Sequence, residues 1–339
     1  RARANAGDAD ALRQMGMRYR LGQGVPQDFG QSMSWYRKAA EQGDAFAQYE
    51  VGFLYRYGIG VPEDFGQAAT WFRKAAEQGN ADAQYHLGLL YDHGWGVPQD
   101  YGQAATWFRK AAEYGDALAQ FELGLMSFNG QGVPQDYGQA VTWFRKAAEQ
   151  GYASAQIMLG AMYDKGQGVP QDYGQTVTWF RKAAEQGNAD AQDYLGYAYK
   201  KGQGVPQDYG QAVTWFRKAA EQGNADAQFN LGYAYDSGQG VPQDYGQAMT
   251  WYRKAAEQGN PEAQHNLGVM YFNGSGVPQD YESAYLWLNL SAAHSTEDHQ
   301  KQMTADRDSA EQKLTPAQLA SAQRRAREWQ EAFDKRSGK

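Results

Sequence analysis

The sequence predicts an all-α protein, an α-solenoid in which antiparallel helix pairs stack in a row. Two observations predict this fold: a 36-residue period without insertions, and a helical spacing of apolar residues within each period. The tripeptide Gly-Val-Pro marks the period and begins at Gly24, Gly60, Gly96, Gly132, Gly168, Gly204, Gly240 and Gly276. The eight units span residues 8–43, 44–79, 80–115, 116–151, 152–187, 188–223, 224–259 and 260–295.

Composition narrows the class of protein before any motif is considered. The chain has 339 residues, of which 42% are hydrophobic, and this content is too high for a disordered chain. A net charge of −7 argues against a broad nucleic-acid-binding surface, so we expect no nucleic-acid partner. No apolar run approaches the ~18 residues that a membrane span needs, so we expect no membrane insertion. The absence of cysteine excludes disulfides, iron–sulfur clusters and thiolate zinc sites.

The third unit illustrates the first helix of each pair. Asn80 is suited to cap a helix N-terminus, and we expect this helix to span Ala81 to His93. The following segment, Gly-x-Gly-Val-Pro from Gly94, ends the helix and turns the chain. The positions that nearly all units share lie on one helical stripe: Ala83, Gln84, Leu87, Gly88 and Tyr91.

The second helix of the unit begins after Asp100, which serves as its cap. Gln103 follows at the spacing of a capping box, and Gly115 is placed to end the helix. The apolar face of this helix carries Tyr101, Ala104, Trp107, Phe108, Ala111 and Ala112.

A glycine recurs in the middle of every first helix, as Gly88 does in the third unit. Such a glycine costs about 1 kcal/mol relative to alanine, so a gain in packing must offset it. We expect a neighbouring helix to approach closely there, with the ring of Trp107 or its equivalent filling the remaining space.

The C-terminal end departs from the period. In the eighth unit, Leu286 and Leu290 replace the threonine and lysine of most other units, so a polar outer face becomes apolar. We expect residues 296–339 to cover this face as capping helices, which solenoids need at their ends. The first would span roughly Glu297–Leu314, and the second would begin after Thr315.

The N-terminal end is short. Residues 1–7 match the end of a second helix, and we expect them to be the end of an N-terminal helix. The chain begins at Arg1 without methionine, which is compatible with a removed signal peptide. The compartment therefore stays open between the cytoplasm and the periplasm or exterior of a bacterium.

The repeated pattern is Ala-x-Ala-Gln-x-x-Leu-Gly-x-x-Tyr-x-x-Gly-x-Gly-Val-Pro-Gln-Asp-Tyr-x-x-Ala-x-x-Trp-x-Arg-Lys-Ala-Ala-Glu-Gln-Gly. It resembles the Sel-one-like repeats, relatives of the tetratricopeptide repeats, over residues 8–295. The resemblance implies a right-handed α-solenoid superhelix whose first helices line a concave groove. It also implies a bacterial protein-interaction scaffold: an adaptor, a regulator, or an immunity protein that occludes a secreted toxin. A cysteine-rich branch was linked to penicillin binding, and this chain lacks those cysteines.

Residues that suggest catalysis or metal binding have simpler structural explanations. The Gly-x-Gly-Val-Pro segment follows a helix and lacks the Gly-Lys-Ser/Thr of a phosphate loop. His86 and His93 stand roughly 10 Å apart along one helix, too far to share a metal ion. We therefore predict a protein without catalytic activity, metal or cofactor. The alternatives are an envelope-directed hydrolase, which a hydrolysis assay would reveal, and a binder of small ligands.

Positions that the repeat pattern leaves free predict where a partner binds. Repeats two to four carry apolar and aromatic residues at sites where other units are polar. A polar rim surrounds them and includes Glu50, Arg56, His86, His93 and Glu122. The predicted partner-binding residues are Phe46, Tyr49, Glu50, Phe53, Tyr57, Ile59, Tyr85, His86, Leu89, His93, Trp95, Leu118, Phe121, Glu122, Leu125 and Phe128.

Three interpretations of these residues compete. They are additional core, or anchors for a protein or peptide in the groove, or the lining of a site for a small apolar ligand. We favour the groove, because a site that must be apolar for packing would be apolar in every unit. The sequence leaves the partner's identity and the oligomeric state open.

Overall fold

A computed structural model describes residues 7–295 and 297–338, apart from the side chains of residues 297–299. These residues form 18 α-helices and no β-strand, which confirms the all-α prediction for the described part of the chain. The helices are α1 (Ala9–Leu21), α2 (Phe29–Glu41), α3 (Ala45–Tyr57), α4 (Phe65–Glu77), α5 (Ala81–His93), α6 (Tyr101–Glu113), α7 (Ala117–Asn129), α8 (Tyr137–Glu149), α9 (Ala153–Lys165), α10 (Tyr173–Glu185), α11 (Ala189–Lys201), α12 (Tyr209–Glu221), α13 (Ala225–Ser237), α14 (Tyr245–Glu257), α15 (Pro261–Asn273), α16 (Tyr281–His294), α17 (Glu297–Glu311) and α18 (Pro316–Ser337).

Each repeat contributes an odd-numbered first helix and an even-numbered second helix, from α1 and α2 to α15 and α16. The first helix predicted for the third repeat has the bounds that the sequence indicated. Residues 1–6 of the predicted N-terminal helix lie outside the described residues, and Gly7 lies in a turn.

Local capping explains where the first helices start and stop. The Asn80 side chain accepts a hydrogen bond from the Ala83 N–H at 2.7 Å, which satisfies one of the free amides at the start of α5. At the other end, Gly94 adopts a left-handed conformation, and its N–H donates to the Leu90 carbonyl.

Second helices start after a capping aspartate, but the hydrogen bonds of this cap differ from the prediction. The Asp100 side chain accepts from the Gln103 N–H at 2.9 Å. The Asp100 N–H donates to the Tyr91 carbonyl at 2.9 Å, so the reciprocal bond of the predicted capping box is not made. A complete capping box forms at the start of α18, between Thr315 and Gln318.

The turn between the two helices of a repeat packs against the preceding repeat. Gly96 has a φ of 68°, and a Cβ built on it would lie 2.2 Å from the carbonyl carbon of Phe65. Phe65 is the first residue of α4, the second helix of the preceding repeat. No side chain fits at this glycine, because the backbones of consecutive repeats meet there.

The chain divides into two compact units, Arg1–Asp172 and Tyr173–Lys339. In the first unit, each helix packs against the next along the chain, from α1 to α9. One buried cluster joins Phe72 of α4, Leu87 of α5 and Trp107 of α6, with small alanines between them. Its residues come from repeats two and three, so each repeat buries its apolar surface against its neighbour. This is the packing of an α-solenoid.

In the second unit, α10 to α17 also pack consecutively, and α18 packs on α16. The apolar face of α16 is covered there. Leu286 is 6% exposed and Leu290 is 2% exposed, and both cluster with Ala326 of α18. Trp329 of α18 packs against the same cluster.

The helical glycine does allow a close approach, but the ring that lies on it differs from the prediction. A Cβ built on Gly88 would lie 2.6 Å from ring atoms of Phe108. The prediction that Trp107 fills this space is wrong. Trp107 is the neighbouring residue on α6, so it points about 100° away around the helix and packs with Leu87 and Leu90 in the cluster that joins repeats two and three.

Candidate partner-binding surface

First helices of neighbouring repeats touch through side chains 30 residues apart. Arg20 on α1 forms an ion pair with Glu50 on α3, and Arg56 on α3 contacts the His86 ring on α5. We call each such meeting of successive first helices a junction. The same two helix positions meet at each of these junctions, so the residues at those two positions decide the charge of the junction.

His86 joins the aromatic rings of repeats two and three. Its ring stacks on Phe72 and Tyr49 at centroid distances of 5.1 and 5.7 Å, and lies 6.1 Å from the Phe53 ring. Burial lowers the pKa of His86 to about 3, and the Arg56 guanidinium acts in the same direction. At neutral pH His86 is therefore an uncharged ring within an aromatic cluster.

The accessible part of the predicted surface lies at the C-terminal ends of α3 and α5. Tyr57 is 48% exposed and Trp95 is 38% exposed, and His93 is exposed beside Trp95 with ring centroids 4.3 Å apart. The Arg56 guanidinium lies 5.1 Å from the Tyr57 ring and 5.7 Å from the Trp95 ring. Both distances are in the cation–π range. We call Arg56, Tyr57, His93 and Trp95 the aromatic patch.

Glu50 lies inside a junction, whereas the sequence placed it on the polar rim. It is 3% exposed and is paired with Arg20, whose guanidinium also lies 5.4 Å from the Phe53 ring. Burial raises the pKa of Glu50, and Arg20 opposes this shift. The carboxylate thus stabilises the contact between α1 and α3 and has little surface to offer a partner.

Repeat four contributes fewer accessible rings. Phe121 contacts Tyr152 at 5.0 Å, and Phe128 contacts Tyr137 at 5.2 Å. Among the described residues, no ring contact connects Phe121 or Phe128 with the aromatic cluster around His86. Leu118 is 39% exposed.

The other predicted residues divide their surface between core and solvent. Each of them is half-buried, and four pack against the buried clusters of the first unit. These are Phe46, Ile59, Tyr85 and Leu89, and the fifth half-buried residue is Leu125.

The junction between repeats three and four carries excess negative charge. Asp92 and Glu122 occupy the positions that Arg20 and Glu50 occupy two repeats earlier. Burial raises the pKa of Glu122, Asp92 raises it further, and His93 opposes them. His93 Nδ1 lies 2.7 Å from Asp92 Oδ2. Two carboxylates therefore lie near His93 of the aromatic patch, and Asp92 contacts its imidazole directly.

Residues 7–295 and 297–338 hold no cluster of three or more histidine or carboxylate side chains arranged to bind a metal ion. Within the same residues, no helix combines the length and the apolar character that crossing a bilayer requires.

Two features near repeat four escaped the sequence analysis. Gln78 donates from Nε2 to Gln48 Oε1 at 2.7 Å, but Tyr114 replaces the equivalent glutamine one repeat later. The buried Gln84 Oε1 consequently has no hydrogen-bond partner among the described residues. The second feature is Ser127, at a position where the other seven repeats have tyrosine. Comparing repeats column by column reveals both changes.

Comparisons with known proteins agree with this architecture. The profile of the Sel1 repeat family matches eight segments: residues 9–44, 45–80, 81–116, 117–152, 153–188, 189–224, 225–260 and 261–295. Among curated proteins, none matches the sequence significantly.

Solved structures of similar proteins cover most of the chain. A Sel1 repeat protein from Oxalobacter formigenes is 37% identical, with 90% of this chain and 88% of that chain covered and a TM-score of 0.68. A protective antigen of uropathogenic Escherichia coli with an SLR fold is 34% identical, with 99% and 88% covered and a TM-score of 0.52. An immunity protein from Pseudomonas aeruginosa is 22% identical, with 65% and 82% covered and a TM-score of 0.36. The matched segments, together with the helix pairs described above, show that the chain belongs to the Sel1 repeat family.

Proposed function

We propose that this protein is a non-catalytic scaffold that binds a protein or peptide on the first-helix face of repeats two to four. Sel1 repeat scaffolds fit a protein-interaction role and are generally non-catalytic. The aromatic patch carries the proposal. Its tyrosine, tryptophan and arginine are the residue types in which binding hot spots are enriched.

The chemistry of the partner follows from the two parts of this face. Tyr57 and Trp95 offer apolar area with few rotatable bonds, which suits an apolar anchor on the partner. Asp92 and Glu122 offer negative charge that lacks a strong cation within the described residues. A partner segment with an apolar side chain and a nearby lysine or arginine would complement both parts.

The half-buried rings would support the surface from beneath. Phe53 lies 4.6 Å from the exposed Tyr57 ring and 6.1 Å from the His86 ring. Such packing fixes the orientation of the exposed rings before binding, which reduces the entropy lost when a partner docks. Tyr49 and Phe53 would then affect binding indirectly, through the position of Tyr57.

The family resemblance leaves two biological roles for such a scaffold. One is a bacterial adaptor or regulator that brings cellular proteins together. The other is an immunity protein that occludes a secreted toxin. The partner's own activity would distinguish them, because a toxin would lose its activity when this face covers it.

The test is an affinity pull-down from lysate of the source cells with the full chain and the double variant Tyr57→Ser/Trp95→Ser. Both side chains are exposed, so we expect the variant to keep its helical circular dichroism. A protein retained by the parent chain should be lost by the variant, because truncating a central anchor costs ~2 kcal/mol.

The matched control is Tyr197→Ser/Tyr233→Ser in the second unit. These rings are 44% and 36% exposed, so the control removes a similar amount of aromatic surface from repeats six and seven. Equal retention by the parent and by a folded Tyr57→Ser/Trp95→Ser variant would show that the partner binds elsewhere.

A further inference from the structure

A pocket in the first unit lies where other repeats hold a tyrosine ring. Ser127 on α7 occupies the position of Tyr91 on α5 and is 6% exposed. The smaller side chain leaves a pocket of about 190 Å³, and the residues that line it include Ser127, Arg109, Leu123, Pro134, Asp136 and Trp143.

The tyrosine that is missing here accepts a hydrogen bond from an arginine of the preceding repeat in five other repeats. Arg73 Nη2, on the second helix of repeat two, donates to the Tyr91 hydroxyl of repeat three at 2.6 Å. The same bond joins consecutive repeats elsewhere at 2.5 to 3.0 Å, in the pairs Arg145–Tyr163, Arg181–Tyr199, Arg217–Tyr235 and Arg253–Tyr271. The arginine of the second helix is therefore placed to bind a phenol group at the first helix of the next repeat.

Arg109 is the arginine whose tyrosine is missing. It makes no hydrogen bond or ion pair with any described residue, and it is exposed at the edge of the pocket. A guanidinium presents five N–H donors in a fixed plane, so Arg109 keeps a free donor where Arg73 is occupied.

The walls of the pocket suit an aromatic ring. Leu123 is 1% exposed and forms an apolar floor, and Trp143 provides a half-buried ring beside it. Pro134 and Gln139 also line the pocket and are exposed, so the pocket is open to solvent on the side of the arginine. An incoming ring would lie on apolar surface with its polar end near Arg109.

We propose that this pocket binds a 4-hydroxyphenyl group, with the ring against Leu123 and Trp143 and the hydroxyl oxygen accepting a hydrogen bond from Arg109. The group is either the side chain of a tyrosine on a partner protein or a free phenol. The site is separate from the aromatic patch, and it goes beyond the proposed function without depending on it.

The test uses p-cresol, the side chain of tyrosine, as the probe on the full-length chain. Ligand-detected NMR and the shift in melting temperature measure binding to the parent chain and to three variants. Ser127→Tyr fills the pocket with the ring found in the other repeats, Arg109→Gln removes the guanidinium, and Tyr91→Ser creates a copy of the pocket next to Arg73.

We expect saturable binding to the parent chain, loss of binding in Ser127→Tyr, and about tenfold weaker binding in Arg109→Gln, because a charge-assisted hydrogen bond is lost. Tyr91→Ser should bind a second equivalent of p-cresol. Failure of the parent chain to bind p-cresol would overturn the proposal, and so would unchanged binding by Ser127→Tyr.

A competition experiment distinguishes the two sources of the phenol. If a short peptide containing N-acetylated tyrosine displaces p-cresol from the parent chain, the backbone of a partner can be accommodated at the mouth of the pocket. If p-cresol binds and the peptide does not displace it, the ligand is a free phenol.

Discussion

Asp193 on α11 occupies a position at which repeats two, three, four and seven carry an aromatic ring. Burial raises its pKa to about 6. The amide of Asn230, which donates to Asp193 Oδ1 at 3.1 Å, and the ammonium of Lys200 both oppose this shift. A carboxylate that is half removed from water thus weakens repeat six at neutral pH.

The substitution Asp193→Asn should make stability depend less on pH. The pKa of Asp193 is about 6 in the folded protein against an ordinary value of 3.8, so the folded state binds more protons between those pH values. The contribution of this group to stability is therefore greatest below pH 3.8 and falls as pH rises through 6. We expect the variant to gain ~1–3 kcal/mol in the free energy of unfolding at pH 7 and little at pH 4.

Urea unfolding at the two pH values measures this difference. The parent chain and the variant compared at pH 4 serve as the internal control, since Asp193 is largely protonated there. An equal gain at both pH values would mean that the new amide acts through hydrogen bonding and not through the removed charge.

Residue identity in each column of the repeat was readable from the sequence, but burial was not. Glu50 and His86 both looked like rim residues because they are polar in a variable column. Glu50 is buried by Arg20 from the preceding repeat, and His86 is buried by the Tyr49 and Phe72 rings of the preceding repeat. Each of these contacts joins residues of different repeats, so it depends on how far neighbouring helices are rotated and displaced.

At the scale of the helix, the glycine in each first helix marks the place where the first and second helices of a repeat pack closely. Replacing Gly88 with alanine should gain about 1 kcal/mol of helix propensity. The new Cβ would meet the Phe108 ring at 2.6 Å, and overpacking of this kind costs ~1–3 kcal/mol. We therefore expect Gly88→Ala to lower the midpoint of urea unfolding.

The matched control is Gly30→Ala at the start of α2. A Cβ there would lie 3.4 Å from Asp28 Oδ1, an ordinary contact. This variant should be neutral or slightly stabilising. If Gly88→Ala were as stable as Gly30→Ala, the ring would be able to move away, and the close packing of α5 and α6 would not explain the glycine.

Helix ends were predictable because each cap is a local feature. Asn80 and Gly94 bond to amides and carbonyls within a few residues of themselves, so their meaning is contained in a short window of sequence. The choice between Trp107 and Phe108 as the ring over Gly88 was different. Both are apolar neighbours on one helix, and only the rotation of α6 against α5 decides which of them faces the glycine.

At the scale of the whole molecule, every repeat depends on a neighbour to bury its apolar surface. In the second unit, α16 relies on α17 and α18 for this purpose. Truncation after Ser295 should expose Leu286 and Leu290, which are 6% and 2% exposed in the folded chain. We expect the truncated chain to self-associate and to unfold at a lower temperature, as measured by light scattering and circular dichroism.

Repeat seven supplies the control for this truncation. Its second helix carries Thr250 and Lys254 at the positions of Leu286 and Leu290. The truncated chain with Leu286→Thr and Leu290→Lys should remain monomeric, because its end would then resemble a solvent-facing helix. If this double variant still self-associated, the apolar surface responsible would lie outside Leu286 and Leu290.

The contact between Gly96 and the start of α4 has a consequence for how such a gene can change. From the second repeat onward, the turn glycine contacts the preceding repeat, so an extra codon in the turn would displace the glycine from this contact. Whole repeats that are gained or lost in register preserve the contact between each turn and the repeat before it. Recombination between near-identical repeats can therefore change the array by one whole repeat at a time. The length of the array changes, while each remaining repeat keeps a neighbour to pack against.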